Sequence, residues 1–192
     1  SAPEAPAAGL RHEVLAQVAH AERVLEVIRR DGLQFKVMLG AYLGAEMNNF
    51  GCPWGGTYSE EQLNDNAAEN AAEIERLIAL ARSHEDIVFS VAVGNETTAD
   101  WTDHVVPVER MIEYVRRVRG SLAQPVTFCE NYVPWQGRLR ALVPELDFIS
   151  LHSYPVWENH AVRGAIDYTI ENFDRVVERH RPPEAEVPRH PS

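Results

Sequence analysis

The sequence lacks the long apolar segments of a membrane protein. No run of 18 or more apolar residues occurs in its 192 residues, whereas a transmembrane helix needs about 20. The Ala- and Pro-rich residues 1–9 also lack the basic region and the apolar stretch of a signal peptide. We therefore expect no membrane insertion. The localisation stays undefined, and would be periplasmic or secreted if the chain belonged to a longer exported protein.

Basic residues and cysteines are also scarce. The 18 Lys and Arg residues stand against 29 Asp and Glu residues, and the net charge of −11 disfavours nucleic acid and anionic membranes as partners. Neutral ligands such as sugars are compatible with this charge. Cys52 and Cys129 can pair only if the fold brings them together, and we expect two free thiols. None of the 8 histidines has the spacing of a metal site, so we predict no bound metal.

The rest of the chain alternates between helical and strand patterns. Apolar residues recur at three- and four-residue steps over residues 11–31, and the capping-box pair Ser59 and Gln62 opens a second helix. Short apolar runs predict strands between the helices. The predicted strands cover residues 35–42, 87–94, 125–129 and 146–152, and the later helices cover residues 103–119 and 161–180.

Strands separated by helices are typical of an α/β fold with parallel β units. We therefore predict a single α/β domain over residues 11–180. Residues 1–10 are predicted to form a disordered lead-in, and the Pro-rich residues 181–192 a disordered tail.

Polar and aromatic side chains gather where the predicted strands end. In a parallel α/β protein, ligands bind beyond the carboxyl ends of the strands. Aromatic faces that pack on sugar rings, together with polar groups that bind hydroxyls, would suit a carbohydrate. The candidate site residues in chain order are Tyr42, Asn95, Glu96, Glu130, Tyr132, Trp135, His152, Tyr154 and Trp157.

Glu96 is the strongest single candidate for a catalytic residue. It follows the clearest predicted strand, and desolvation there would favour its protonated form. A protonated Glu is what a general acid for glycosidic cleavage requires. The alternative is that Glu96 caps the following helix or bonds a loop.

Four segments in order resemble the family 17 glycoside hydrolases, the β-1,3-glucanase group, and in particular their bacterial members. The segments are residues 36–42, 91–96, 126–132 and 147–155. The resemblance implies a (β/α)8 barrel of TIM-barrel type, of which this chain matches only the third to sixth strands. It also implies a retaining mechanism with Glu96 as acid/base, Asn95 bonding the sugar 2-hydroxyl, and His152 and Tyr154 lining the catalytic subsite.

Two tryptophans near these segments have no role that the resemblance assigns. Trp135 and Trp157 follow the third and fourth predicted strands. Their residue type suits a platform on which a sugar ring stacks, and it equally suits an anchor that holds a loop.

The chain departs from the family at the nucleophile. The resemblance implies a nucleophilic Glu after the seventh strand, followed by Gly-Trp, but Glu184 and Glu186 follow no predicted strand and precede no such pair. The nucleophile therefore stays unassigned. Glu130 is the only other carboxylate that the sequence places well. It could substitute for the nucleophile, and its more ordinary role would be a hydrogen bond to substrate or to Asn95.

The sequence is compatible with three functions. The first is a β-glucan hydrolase or transglycosylase domain that is catalytically incomplete, the second is a non-catalytic carbohydrate-binding or scaffold half-barrel, and the third is a fragment without function. None requires a cofactor. Four strands cannot close a barrel, so the outer strands would keep exposed edges. We expect either a homodimer through these edges or an open, flattened sheet, and an unrelated α/β domain is a further alternative.

Overall fold

The structure is a computed structural model that describes residues 21–181. Helix α1 is described from residue 21 to residue 30. The remaining helices are α2 (Glu60–Ser83), α3 (Val108–Arg119), α4 (Tyr132–Trp135) and α5 (Val162–His180). The strands are β1 (Val37–Ala41), β2 (Val88–Asn95), β3 (Val126–Asn131) and β4 (Ser150–His152). The disorder predicted for residues 1–10 and 182–192, and the helix predicted for residues 11–20, lie outside the described residues.

The four strands form one parallel sheet in the order β1-β2-β3-β4. This arrangement confirms the predicted α/β fold. Because all strands run in one direction, their carboxyl ends meet at the same edge of the sheet. Within residues 21–181, β1 and β4 are the outer strands, and each has a partner on one side only.

The core joins the sheet to helices α1, α2 and α3. Ile28, Leu77, Val115, Val91 and Phe128 all belong to one buried cluster. Each such side chain stabilises the fold by about 1.5–3 kcal/mol through its removal from water. The two faces of the sheet are not filled equally: β1 alternates between buried and exposed positions, whereas β3 is buried along its whole length.

Two of the predicted helix ends are built as the sequence indicates. The Ser59 hydroxyl accepts from the Gln62 backbone N–H at 3.2 Å, and the Gln62 side chain accepts from the Ser59 backbone N–H at 2.9 Å, which completes the capping box. After α1, Gly32 adopts a φ of +62°, where glycine carries no steric penalty. The Leu33 N–H then bonds the Ile28 carbonyl at 2.9 Å and closes the helix.

Two predicted boundaries are wrong. The fourth strand is only Ser150–His152, because Asp147 is used to secure the start of β3: its carboxylate accepts from the Val126 N–H at 2.8 Å. The third helix begins at Val108 rather than at residue 103, because Pro107 stands at the N-cap with extended backbone. The connection from β3 to β4 also contains α4 and two short 3-10 turns that the sequence did not reveal.

The two cysteines agree with the expectation of free thiols. Cys52 and Cys129 are unpaired thiols, and Cys129 is buried. None of the helices in residues 21–181 has the length and apolarity needed to cross a membrane.

Trp135 is a core residue. Its side chain has 0% exposure, its indole N–H donates to the Ser150 carbonyl at 3.2 Å, and its ring meets Phe128 edge to face at 5.8 Å. The interpretation of Trp135 as a sugar-stacking platform is therefore wrong. Trp135 anchors α4 to β4, whereas Trp157 is 80% exposed.

The two tryptophans should respond oppositely to truncation. We expect Trp135→Ala to lower the free energy of unfolding by about 3–5 kcal/mol, because it opens a cavity in the core. Trp157→Ala should change this free energy by less than about 0.5 kcal/mol, because the indole is mostly in solvent. Urea unfolding followed by circular dichroism measures both, and equal losses in the two variants would contradict the assignment.

Candidate active site

A β-bulge at the end of β2 directs Glu96. Ala92 pairs with Thr127 and Asn95 with Cys129, so β2 contains one residue more than β3 between these two pairs. Gly94 within the bulge has a φ of +86°, and a Cβ there would lie 3.1 Å from the Met111 methyl group. Both facts require glycine. Bulges re-aim neighbouring side chains, and this one places Glu96 just beyond the strand.

The backbone of Glu96 is itself in a special conformation. Its φ of +51° lies in the left-handed region, which few side chains adopt. Its N–H donates to the Cys129 carbonyl at 2.9 Å, which ties the turn to β3. Such conformations persist only where neighbouring contacts enforce them, and they are frequent at functional sites.

Glu96 forms an ion pair with His152. The Glu96 Oε1 atom lies 2.9 Å from His152 Nδ1, and both side chains keep about a quarter of their surface exposed, at 21% and 25%. The Tyr154 hydroxyl lies 3.0 Å from the same nitrogen. Residues from β2, from β4 and from the loop after β4 therefore meet at one point beyond the sheet.

The charges of this pair differ from the sequence-based expectation. The Cys129 sulfur and the Glu96 carboxylate raise the pKa of His152 to about 9. The hydrogen bond from His152 lowers the pKa of Glu96 and outweighs the opposing effect of burial. The expectation that desolvation keeps Glu96 protonated is therefore wrong for this state of the protein. At neutral pH the pair is a carboxylate and an imidazolium.

Asn95 and Tyr42 belong to a second network beside the pair. The Asn95 side chain is at the exposed end of β2, and its backbone carbonyl lies 3.1 Å from His104 Nε2. The other ring nitrogen of His104 lies 2.7 Å from Asp103 Oδ1, and the Tyr42 ring packs against the imidazole at 5.0 Å. Desolvation raises the pKa of Tyr42 to about 12. This network fixes the backbone at Asn95, the residue before Glu96.

Glu130 is an internal brace. Its side chain has 0% exposure, and its Oε2 atom accepts from the Thr98 N–H at 2.9 Å and from the Thr98 hydroxyl at 2.7 Å. Its Oε1 atom accepts from the Asn131 N–H at 2.7 Å. Burial raises the pKa of this carboxyl group. The structure therefore contradicts the predicted contact of Glu130 with substrate or with Asn95.

A cleft of about 700 Å³ opens at the carboxyl ends of the strands. A volume of this size is typical of a ligand site, as is an apolar lining with a few polar groups. The predicted residues that the structure brings together on its lining are Glu96, Tyr132, Tyr154 and Trp157. His152 joins them through its bond to Glu96.

Sequence reasoning missed five residues of the cleft: Trp54, Trp101, Asn131, Val133 and Glu158. Trp54 belongs to the loop after β1, and its side chain is 54% exposed. A signal existed, because residues 48–58 are rich in Asn, Gly and Trp, a composition typical of a binding loop rather than a core segment. Trp101 and Glu158 carried no comparable signal.

The described residues offer no site for a metal ion. No group of three or more His, Cys, Asp or Glu side chains in residues 21–181 is arranged to hold one.

The overall fold is similar to a known enzyme structure. No family model matches the sequence, and no curated protein sequence matches it either. The fold resembles an active-site mutant of the Rhizomucor miehei β-1,3-glucanosyltransferase in complex with laminaritriose, with a TM-score of 0.60 and 19% sequence identity. The likeness covers 83% of this chain and 51% of that one, so the chain spans about half the length of that structure.

This likeness establishes the fold. The described residues form a (β/α) barrel-type arrangement with four parallel strands. At 19% identity the likeness carries no statement about activity, and it does not single out family 17.

The ion pair predicts a specific pH dependence. Because the pKa of His152 is raised, the stability that it contributes is complete below about pH 6.5, the usual His value, and is lost as the pH rises through about 9. Because the pKa of Glu96 is lowered, its contribution is present above about pH 4.3 and is lost as the pH falls through its lower folded value. Urea unfolding from about pH 3 to pH 10 measures both losses of stability.

Glu96→Gln provides the comparison for this prediction. The variant should bring the pKa of His152 back toward its usual value in an NMR titration, and should flatten the loss of stability between about pH 6.5 and pH 9. Glu85→Gln is the control, since Glu85 is exposed at the opposite end of β2. A His152 pKa that is equal in all three proteins would contradict the ion pair.

Proposed function

We propose that this chain carries the acid/base half of a β-1,3-glucan-processing site, with Glu96 as the acid/base residue. The observation that carries the proposal is the position of Glu96. It stands beyond a parallel sheet, is paired with His152, and opens into a cleft with exposed tryptophans. In barrels of this type, catalytic residues come from the carboxyl ends of strands. The likeness to a β-1,3-glucanosyltransferase fold supports the choice of substrate.

The finer assignment to family 17 belongs to this proposal. It rests on the four segments that resemble the bacterial members and on their positions in the structure. Two of them supply Asn95, Glu96, His152 and Tyr154 to one region beyond the sheet. In this assignment Asn95 takes the sugar 2-hydroxyl, His152 and Tyr154 line the catalytic subsite, and Trp157 stacks on a sugar ring.

The proposed reaction needs a second carboxylate. Retaining glycosidases place two carboxyl groups about 5–5.5 Å apart, one as nucleophile and one as acid/base. A neighbouring negative charge would also raise the pKa of Glu96, which is lowered here, and so make it a better proton donor. Among residues 21–181, Glu130 is a carboxylate whose pKa the charge of Glu96 helps to raise, after burial, and its oxygens are bonded internally. We therefore propose that the nucleophile comes from outside the described residues.

Hydrolysis and transglycosylation are equally compatible with this site. Both pass through a covalent glycosyl–enzyme intermediate and differ in whether water or another sugar attacks it. The described residues do not favour one acceptor over the other.

A non-catalytic carbohydrate-binding role is the second candidate. The observation that favours it is the same charge arrangement: an ionised Glu96, and a Glu130 that is withdrawn into the core. A protein with these features would bind an oligosaccharide in the cleft and leave the glycosidic bond intact.

Binding and azide-dependent cleavage of laminari-oligosaccharides test both candidates. We expect the wild-type chain to bind these sugars in isothermal titration calorimetry and to release no reducing sugar alone. Azide can replace the absent carboxylate by attacking the anomeric carbon, while Glu96 gives its proton to the departing sugar oxygen. We therefore expect the wild type to form glycosyl azide. The amount should rise as the pH falls toward the pKa of Glu96, because more of this carboxyl group is then protonated.

The variants decide between the outcomes. Glu96→Gln should bind the sugars without forming glycosyl azide, and the control Glu85→Gln should behave as the wild type. Binding with no azide-dependent product in any protein would favour the non-catalytic role. Absence of binding in the wild type would overturn both candidates.

We also propose that two copies associate through the open side of the sheet. Both outer strands have a free edge within the described residues, and α5 carries an exposed apolar stripe at helical spacing. The stripe consists of Val162, Ile166, Ile170, Phe173 and Val177. An exposed stripe of this length is unusual for a monomer.

Light scattering at micromolar concentration tests this association. We expect twice the chain mass for the wild type, and the mass of one chain for the double variant Ile166→Asp, Ile170→Asp, whose carboxylates would be costly to bury. A stable wild-type monomer that does not aggregate would exclude the dimer.

A further inference from the structure

The loop after β4 carries a second group of sugar-binding type, apart from Glu96. Glu158 lines the cleft and is held by two tyrosines: the Tyr132 hydroxyl donates to its Oε2 atom at 3.0 Å, and the Tyr168 hydroxyl donates to the same oxygen. The two hydroxyl groups lie 2.6 Å from each other. Tyr132 comes from α4 and Tyr168 from α5, so two helices fix one carboxylate.

One oxygen of this carboxylate is available to a ligand. Both tyrosines use Oε2, and no donor within residues 21–181 contacts Oε1. Glu158 is only half-buried, so Oε1 can accept a hydrogen bond from a molecule in the cleft. Carboxylates accept stronger hydrogen bonds than neutral groups do, which suits the recognition of a hydroxyl group.

Trp157, the neighbouring residue, is presented on a fixed turn. The Glu158 N–H bonds the Tyr154 carbonyl at 3.0 Å, and the His160 N–H bonds the Pro155 carbonyl at 2.8 Å. The His160 ring also stacks on Tyr168 at 3.7 Å. The indole nevertheless remains 80% exposed in the cleft. A large apolar side chain that lies exposed on a turn with a fixed backbone, and that lines a cleft, offers a contact surface for a ligand.

The hydrogen-bond partners of this group differ from those of Glu96. Glu158 bonds Tyr132 and Tyr168, whereas Glu96 bonds His152. Both carboxylates line the same cleft of about 700 Å³, so each presents its own acceptor to a ligand there. The two groups can therefore bind different units of one oligosaccharide.

We propose that Glu158 and Trp157 form a second sugar subsite, in which the Glu158 carboxylate accepts a hydroxyl hydrogen and the Trp157 indole stacks on the ring face. Tyr132 and Tyr168 are positioning residues that aim the carboxylate. This inference rests on the proposed glucan function and adds to it the part of the cleft that determines chain-length preference. The ligand class is a neutral oligosaccharide rather than a single sugar.

Titration calorimetry with laminari-oligosaccharides of increasing length tests the subsite. In the wild type, affinity should rise when the oligosaccharide becomes long enough to reach from Glu96 to Trp157. Glu158→Ala should remove this rise, with about 10-fold to 100-fold weaker binding of long oligosaccharides, and should leave short ones unchanged. Glu158→Gln should give an intermediate loss, because an amide oxygen accepts a weaker hydrogen bond than a carboxylate.

Two further variants keep the test decisive. Trp157→Ala should also remove the gain in affinity with oligosaccharide length. Because the indole is 80% exposed, this substitution should leave the fold intact. Tyr168→Phe keeps the ring but removes the hydroxyl that donates to Glu158. This variant should weaken the binding of long oligosaccharides less than Glu158→Ala does. Glu85→Ala is the matched control and should bind as the wild type.

The failure of this inference is distinguishable from that of the proposed function. If Glu158→Ala and Trp157→Ala both bind the whole series as the wild type does, the subsite is overturned and the proposed function stands. If the wild type binds none of the oligosaccharides, both are overturned.

Discussion

The bulge at the end of β2 is the constraint on which the candidate site depends. It accommodates one extra residue between Ala92 and Asn95, and Gly94 there adopts a φ that other residues rarely accept. A Cβ at this position would approach Met111 to 3.1 Å and Phe128 to 3.3 Å, so the glycine is held against the core itself. Two residues later, the backbone of Glu96 also lies in the left-handed region and is tied to β3 by its N–H. The core packing therefore fixes the direction in which the carboxylate leaves the sheet.

Buried polar groups hold the loops around this bulge in place. The Glu130 carboxylate bonds the loop after β2 through Thr98 and the start of α4 through Asn131. A second buried carboxylate, Glu46, accepts from Asn70 at 2.9 Å and from Arg110 at 2.9 Å, which joins the loop after β1 to α2 and α3. Buried carboxylates are costly unless they are bonded in this way. Both carboxylates hold loops in place. The polar side chains that line the cleft are instead half-exposed residues such as Glu96 and Glu158.

The charge state of Glu96 links structure to function. Paired with His152, the carboxylate is a poor proton donor, whereas a second carboxylate nearby would shift it toward protonation. The same residue can therefore be a resting anion in this chain and an acid in a complete site. The subsite proposed at Glu158 does not share this dependence, because hydroxyl binding requires no proton transfer.

The sequence alone was sufficient for the coarse features. The alternation of periodic apolar segments predicted parallel α/β units, because helices and strands bury different spacings of side chains. It also placed Glu96, His152 and Tyr154 together, since residues that follow parallel strands share one edge. The pair Ser59 and Gln62 marked a helix start correctly because a capping box depends only on local hydrogen bonds.

Only the tertiary structure decided which of these residues face the cleft and with what charge. Trp135 and Trp157 have the same side chain and similar positions after strands, yet one is in the core and the other in solvent, because the short helix α4 turns Trp135 inward. The internal bonding of Glu130 and the lowered pKa of Glu96 depend on partners that are distant in the sequence, such as Thr98 and His152. Local sequence determined the elements, whereas burial and charge arose from contacts between residues that are distant in sequence.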